Sequence, residues 1–569
     1  MAVVGVASEE VPGEQDGAGV AAAAPPGAAA GRIPFVLRIG VTGHRRLADP
    51  AAVAGLVDQG LLAIRDRLRL GGSTELVFVV LSALAEGADR LVASRTLAFP
   101  GSRLEVVLPC QEAEYLEDFG TAESRQEFRQ LIRRASHVRH APRQPNREQG
   151  YEWAGRYLAD RCDVLVAVWD GQPGHGRGGT QEVVAYARDH GVPLIWIRTG
   201  DRAALVTEFG GEAFGRLLDA ARDLGAFNAA RIPDDVFAAE LDRNLGYLGL
   251  AGEQPDGGPT DTTDELFLRR RMDLAAWLLP FFVRADVQAL RLQGGFRFLS
   301  TAMFAMAALA VTVVAIQVNL FPGANWVAGF EILLLLLLLS IPFARNKLRL
   351  HERWTSCRFL AERLRSAYFL SLAGTTDRGR RDGEVAFADP SVAWIERALA
   401  EIMAGRPRAR FSQAEVAPLR SYLSRYWIGD QVSYHVKATG RHERWEIRLR
   451  RATAALFFVT LVAAVLHLAG VGDHGLHRST LAATLIVLSI CIPAVGAAVH
   501  GAETQGQYKR HAQRFDRMAA LLARLRQRMD AAEDLRQVQV VAAEVERTMR
   551  EESNDWFGVM RFHDVELIT

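Results

Sequence analysis

The pattern of apolar and polar positions divides the chain into stretches of different character. Residues 298–330 hold no Asp, Glu, Lys, Arg or His, and after Glu331 a second uncharged run, 332–344, contains an unbroken leucine tract. One bilayer crossing takes about 20 apolar residues, so the pattern predicts two spans, at 298–318 and 326–344. Pro322 and Gly323 suit the reversal between them, and Trp326 is placed at the outer interface. A second pair is predicted at 452–469 and 480–499, around the polar turn 470–479. From 35 to about 199 the pattern changes to short β-branched runs, at 36–41, 76–81, 104–108, 164–169 and 194–197, alternating with amphipathic helical stretches. Strands that are apolar at nearly every residue imply a parallel sheet covered by helices on both faces. The expected fold is therefore an α/β parallel-sheet, Rossmann-like N-terminal domain followed by an all-α membrane region with four transmembrane helices in two hairpins.

The remaining segments are assigned around these blocks. Residues 1–32, rich in Ala, Gly and Pro, hold too little apolar surface to order themselves and are expected to be a disordered tail. No basic region precedes a sustained apolar run there, so a secretory signal is not expected. The sheet domain is taken as 33–200. A mostly helical linker, 201–283, interrupted at 252–264, is expected to couple it to the spans. The first two-span module is 284–372, with Arg284, Asp286 and Ala289 expected to run along the membrane surface. A connector, 373–420, leads to the second module, 421–529, and residues 530–569 form an amphipathic helix and a short tail around Trp556.

The two modules read as an internal repeat. Each second span carries Ile-Pro, at Ile341-Pro342 and Ile492-Pro493, and is followed by a heptad seam. The seams are Leu350, Trp354, Cys357, Ala361, Leu364 and Tyr368, then Tyr508, Ala512, Phe515, Ala519 and Leu522. Such seams need partners, from the same chain or from neighbouring subunits, and a homo-oligomer is expected.

Charge adds the orientation. Lys and Arg total 67 against 66 Asp and Glu, a balance that argues against nucleic acid as a partner. Locally it is uneven: Arg291 and Arg297 precede the first span, and Arg345, Lys347, Arg349 and Arg353 follow the second. Arg444, Arg448, Arg450 and Arg451 precede the third, and Lys509 and Arg510 follow the fourth, while Arg478 is alone in the turns. The positive-inside rule then places both termini and the connector in the cytoplasm, the lipid bilayer being the first partner. The four cysteines have no CxxC spacing, so neither a metal site nor a disulfide framework is expected.

Ligands of parallel sheets bind at the carboxyl ends of the strands. The candidate ligand-binding residues are therefore Thr42, Gly43, His44 and Arg45 after the first strand, and Ser82, Glu86, Gly87 and Asp89 after the second. Asp170 and Gly171 follow the fourth. Gly178, Gly179, Thr180 and Glu182 open a helix whose glycine N–H groups suit an anion. Arg45 offers a fork suited to phosphate. The alternatives are that the glycines serve turns, that His44 caps its loop and that Asp89 complements a helix dipole. In the membrane region Glu331 and His467 are ionisable groups near span ends, candidates for function or for solvation at the interface; Pro342, Trp354 and Pro493 mark the repeat.

The strand-end motifs resemble the SLOG superfamily, Rossmann-like nucleotide sensors related to the LOG nucleotide hydrolases. The matching residues are Val41 to Arg45, Glu86 to Arg90, Tyr151 with Gly155, Cys162 to Gly171, and Gly178-Gly179-Thr180. The membrane part resembles SLATT modules through Trp354, Arg358, Ala361 and Glu362, then Tyr422, Arg425, Gln431, Tyr434 and Ala438. Together the resemblances imply a nucleotide-sensing membrane effector that perforates the inner membrane in bacterial conflict or anti-phage defence. They imply a nucleotide-derived ligand in place of a cofactor, with a nucleotide-synthesising partner enzyme as one candidate source of it. The alternative is a membrane-anchored nucleotide N-glycosidase of phosphoribohydrolase type. Against it, the hydrolases place a glutamate three residues past the threonine of P-G-G-x-G-T, whereas Glu182 lies two past Thr180. On a helix that shift rotates the carboxylate by about 100°.

Overall fold

Strand and helix alternate through the first third of the chain because each apolar run is short and ends at a turn. The computed structural model describes residues 31–172, 178–200, 203–253, 263–324, 326–375, 393–407, 413–471, 473–474, 477–478 and 480–561. The expected disordered tail, apart from its last two residues, the loop 173–177, and parts of 252–264 and of the connector lie outside these, as do the last eight residues.

The order begins β1 (Phe35–Gly43), α1 (Pro50–Leu68), β2 (Leu76–Ser82), α2 (Ala88–Thr96) and β3 (Arg103–Leu108). It continues α3 (Glu112–Tyr115), α4 (Ala122–Arg134), β4 (His137–His140), α5 (Arg147–Arg161), β5 (Val164–Trp169), α6 (Thr180–Asp189) and β6 (Leu194–Arg198). β7 (Ala204–Glu208) and α7 (Glu212–Ala229) complete the domain. The sheet order is β4-β3-β2-β1-β5-β6-β7, parallel except for the antiparallel β7. Alternate strand residues serve opposite faces. Leu37, Ile39, Val80 and Val106 pack under α1, α2 and α4, while Leu81, Val107, Leu165 and Ala167 pack under α5 and α6.

Two strands fall outside the sequence expectation. β4 and β7 are the sheet edges and both are short; β4 is also polar, as edges that avoid pairing with other chains commonly are. With β7 at 204–208, the sheet extends past the expected boundary at 200 into the segment assigned as helical linker.

Beyond the sheet come α8 (Asp234–Tyr247) and α9 (Thr263–Leu320), then α10 (Trp326–Leu348), α11 (Leu350–Leu372), α12 (Ala393–Ala404) and α13 (Val416–Tyr422). A π-helical turn (Leu423–Gly429) leads into α14 (Asp430–Leu468); α15 (Thr480–Gly506), α16 (Tyr508–Asp530) and α17 (Leu535–Arg561) follow. The boundary at 420 thus falls inside α13. The boundary at 283 falls inside α9, a single helix of 58 residues. Arg284 and Ala289 are buried in the stem of α9, Arg284 against the end of α7.

Four helices, carrying the predicted spans, are long and apolar enough to cross a membrane. They stand in a row: α10 packs along α9, α9 along α15, and α15 along α14. Accordingly 28% of the span residues are buried in α9 and α15, against 6% in α10 and α14. α9 and α15 run antiparallel, with Phe304 against Gly501 near the stems and Ala315 against Val487 and Cys491 toward the turns. Pro342 and Pro493 lie inside continuous helices.

The repeat is closed by two matching reversals. Arg349 and Gln507 take left-handed backbone, φ +47° and +40°, and each starts a helix of 23 residues that folds back along a stem. α11 lies on α9, burying Trp354, Cys357, Ala361, Leu364 and Tyr368, and α16 lies on α14, burying Ala512, Ala519 and Leu522. Both seams therefore find their partners within one chain.

The sheet meets these stems at its amino edge. Arg397 of α12 pairs with Asp163, just before β5, and Glu401 with Arg103 at the start of β3, 2.7 Å. Asn228 at the end of α7 accepts from Ile33 N, 3.0 Å, and donates to Ile33 O and Thr74 Oγ1. Arg284 donates to the carbonyls of Phe227, Asn228 and Ala230 beside it. One hydrophobic core runs without interruption from β1 through α7 into α9, α11 and α17.

Candidate functional site

The chain reverses direction across the sheet between β1 and β5, with β2, β3 and β4 on one side and β6 and β7 on the other. In sheets of this kind the loops on either side of the switch point part and leave a ligand crevice over the carboxyl ends; here those are the loops after β1 and β5. The loop after β1 is seated on the start of α2: Ala88 N donates to His44 O, 3.0 Å. Gly87, φ +79°, lies so close that a Cβ there would stand 2.4 Å from Arg45 O. Gly43 is as confined, between Ala88 and the carbonyl of Val168.

Across the switch point His44 Nε2 stands 3.2 Å from both the amide and the Oδ1 of Asp170. The amide of Gln172 donates to Asp170, and this bond, with His44 adding to it, lowers the Asp170 pKa against desolvation. Gly171, φ +89°, turns the chain above Trp196.

On the other flank, Arg45, Arg147 and Tyr151 converge on one carboxylate, that of Asp118. Tyr151 Oη and Arg147 donate to it, and Arg45 Nη2 lies 3.5 Å from it and 3.4 Å from Tyr151 Oη. Burial and the bond to Asp118 push the Tyr151 phenol up to about 12, so it remains a neutral donor. Burial opposes the charge on Arg45, but Tyr151 and Asp118 outweigh it and hold the guanidinium protonated. Tyr115, fully buried beneath, packs edge-on to Phe119 and Phe128.

The residues after β2 act as pins under the crevice. Ser82 accepts from Leu84 N, 3.0 Å, holding Leu84 at φ +57°, and its hydroxyl faces Asp89 at 3.4 Å. Glu86 accepts from Ser124. Asp89 is 5% exposed, and burial pushes its carboxyl up to about 7, against the bonds from Ala85 and Ser82. Since this folded-state value lies above the ordinary one, the unfolded chain loses its proton first, and Asp89 lowers stability progressively between pH 4 and 7. Asp89→Asn is expected to leave stability unchanged below pH 4 and to raise it by up to about 4 kcal/mol at pH 8, in thermal melts across that range.

Gly178 and Gly179 precede α6, and Thr180 is its first residue. The preceding loop, 173–177, lies outside the described residues. Glu182 turns back to accept from Gly178 N, 2.7 Å. Its carboxylate thereby closes its own loop.

The membrane candidates do not join this site. Glu331 is half-buried in α10 and His467 lies in the last turn of α14. Trp354 stacks on Phe296 at the α9–α11 contact. No group of three or more His, Cys, Asp or Glu suited to a metal occurs among the described residues. A depression lined by Gln144, Gln149, Glu152, Trp153, Tyr157 and Tyr186 lies along α5 and reaches α6.

Asp118, Arg147 and Tyr115 went unmarked in the sequence. Asp118 lies ten residues past β3, in a 3-10 turn, and Arg147 opens α5. The strand-end rule, applied to β3 as to its neighbours, points to this loop. No family model and no curated protein matches the chain.

Proposed function

We propose that the chain is a nucleotide-sensing membrane effector of SLOG and SLATT type. A nucleotide-derived signal binds over the β1 and β5 ends and biases the arrangement of the spans in a bacterial inner membrane, with both termini cytoplasmic. The observation that carries the proposal is the convergence of Arg45, Arg147 and Tyr151 at the switch point of a sheet whose opposite edge is fastened to the stems of the spanning helices. Two guanidinium forks and a neutral phenol suit phosphate oxygens, and the glycines let the backbone approach. The uninterrupted core between sheet and stems gives a packing change at the crevice a path to the spans. A ligand shifts such an equilibrium only by its differential affinity for the two states, typically 1–3 kcal/mol between coupled sites.

The effector acts as an oligomer in the membrane, in a conflict or anti-phage role, and responds to a nucleotide made by a partner enzyme. Because both heptad seams are filled within the chain, subunits would meet through the exposed sides of α10 and α14, where Leu336, Phe343, Phe457 and Leu468 are more than half exposed.

The test is dye leakage from liposomes holding the purified protein, challenged with mononucleotides, cyclic oligonucleotides and ADP-ribose derivatives, with turnover followed in the same tubes. Leakage triggered by one compound without its consumption, and weakened about tenfold or more in Arg45→Ala, is the expected result. Steady cleavage without leakage would overturn it in favour of an anchored hydrolase.

A further inference from the structure

The donors of the crevice are already satisfied by the chain itself. Tyr151 Oη and Arg147 donate to Asp118, Arg45 Nη2 stands 3.5 Å from it, and Arg147 also reaches the Glu114 carboxylate at 3.8 Å. Exposure runs the unusual way for a surface ion pair: the side chain of Asp118 is 15% exposed, against 48% for Arg45 and 40% for Arg147. The carboxylate sits beneath its partners, and the guanidinium groups remain open to the crevice mouth.

We propose that Asp118 is a built-in stand-in for a ligand phosphate: its carboxylate holds the donors of Arg45, Arg147 and Tyr151, and a phosphate dianion entering the crevice displaces it and takes them over. This rests on the nucleotide-binding reading and names the part of the ligand that this flank receives. A phosphate brings a second negative charge and a third acceptor oxygen, so it satisfies three convergent donors better than a carboxylate with two. The turn carrying Asp118 is suited to the exchange. Tyr115 and Phe119 on either side of it are fully buried and packed on Phe128, whereas Glu117 is exposed. Displacement therefore moves the short turn between two fixed aromatic anchors, and leaves the sheet in place.

The exchange makes Asp118 a competitor for the ligand, which a purely structural ion pair would not be. The measurement is calorimetric titration of the full-length protein in nanodiscs with pyrophosphate as the probe. Asp118→Asn is expected to bind pyrophosphate at least tenfold more tightly than the native protein, and Arg147→Ala in that background to abolish the gain. Asp118→Ala serves as the second variant, with the same expectation, if melting shows the asparagine form to be poorly folded. A folded Asp118 variant with native or weaker affinity would overturn the proposal, as would a gain that survives Arg147→Ala. Titration of the native protein with nucleoside monophosphates separates the two ideas. Nucleotides that bind the native protein while Asp118→Asn shows no gain sink the stand-in alone; a pyrophosphate gain with no nucleotide binding in either protein sinks the nucleotide reading alone.

Discussion

Gly87→Val is expected to disable the crevice while leaving the rest of the fold intact. The position has φ +79° and ψ −114°, backbone that side-chain-bearing residues avoid at a cost of about 1–3 kcal/mol. A Cβ there would stand 2.4 Å from Arg45 O and 2.6 Å from His44 O, both backbone atoms that no side-chain rotation can clear. The strain must be relieved by pushing the β1 exit loop off α2, which breaks the bond from Ala88 N to His44 O and carries Arg45 away from Tyr151. Together these effects amount to about 3 kcal/mol or more. Ligand-triggered leakage should be lost and the melting temperature lowered. Gly71→Ala, in open space beyond α1, is the matched control and should behave as the native protein.

Arg284→Met should have an effect of similar size at the opposite edge of the sheet. Arg284 is 3% exposed and serves as the cap that the α7 C-terminus otherwise lacks, with its donors on three carbonyls. Burial pulls its pKa down to about 10, which still leaves it charged at neutral pH and favourably placed at the negative end of α7. Methionine keeps the bulk and removes the donors, leaving buried carbonyls that each cost about 1–3 kcal/mol when unpaired. Gln288 retains only the bond to Phe227 O. A loss of about 3 kcal/mol or more is expected in thermal unfolding. On the proposed function, the variant in liposomes should still bind a nucleotide but fail to leak, because the sheet domain has lost its grip on the stem of α9. A variant that melts and leaks like the native protein would show that the α7 contact carries no signal.

The sequence made some of this structure plain and hid the rest for physical reasons. β2 and β5 announce themselves because both faces of the central sheet are covered, so Val77 to Leu81 and Val164 to Trp169 are apolar at every position. β4, with Val138 as its one aliphatic residue, reads as a loop because an edge strand has only half its surroundings to satisfy. The spans were legible from composition, but the continuity of α9 was not. Arg284 and Gln288 look like surface residues in sequence, and only the carbonyls at the end of α7, far away along the chain, make them core. Heptad spacing revealed both seams without naming their partners, which depend on the reversals at Arg349 and Gln507. In the crevice, Thr42 to Arg45 could be found from the end of one strand. The role of Asp118 could not, because Arg45 after β1 and the Arg147–Tyr151 pair on α5 have to meet before it becomes visible.

Spans set in single file have two free flanks and enclose nothing. With neighbouring helix axes about 8–10 Å apart, each chain amounts to a panel roughly 30–40 Å wide, α10 at one end and α14 at the other. Joined flank to flank, such panels make a fence whose circumference grows by one panel per chain, so each added chain widens the enclosed opening by about 10 Å. The bore of any such opening is then a property of how many chains are recruited.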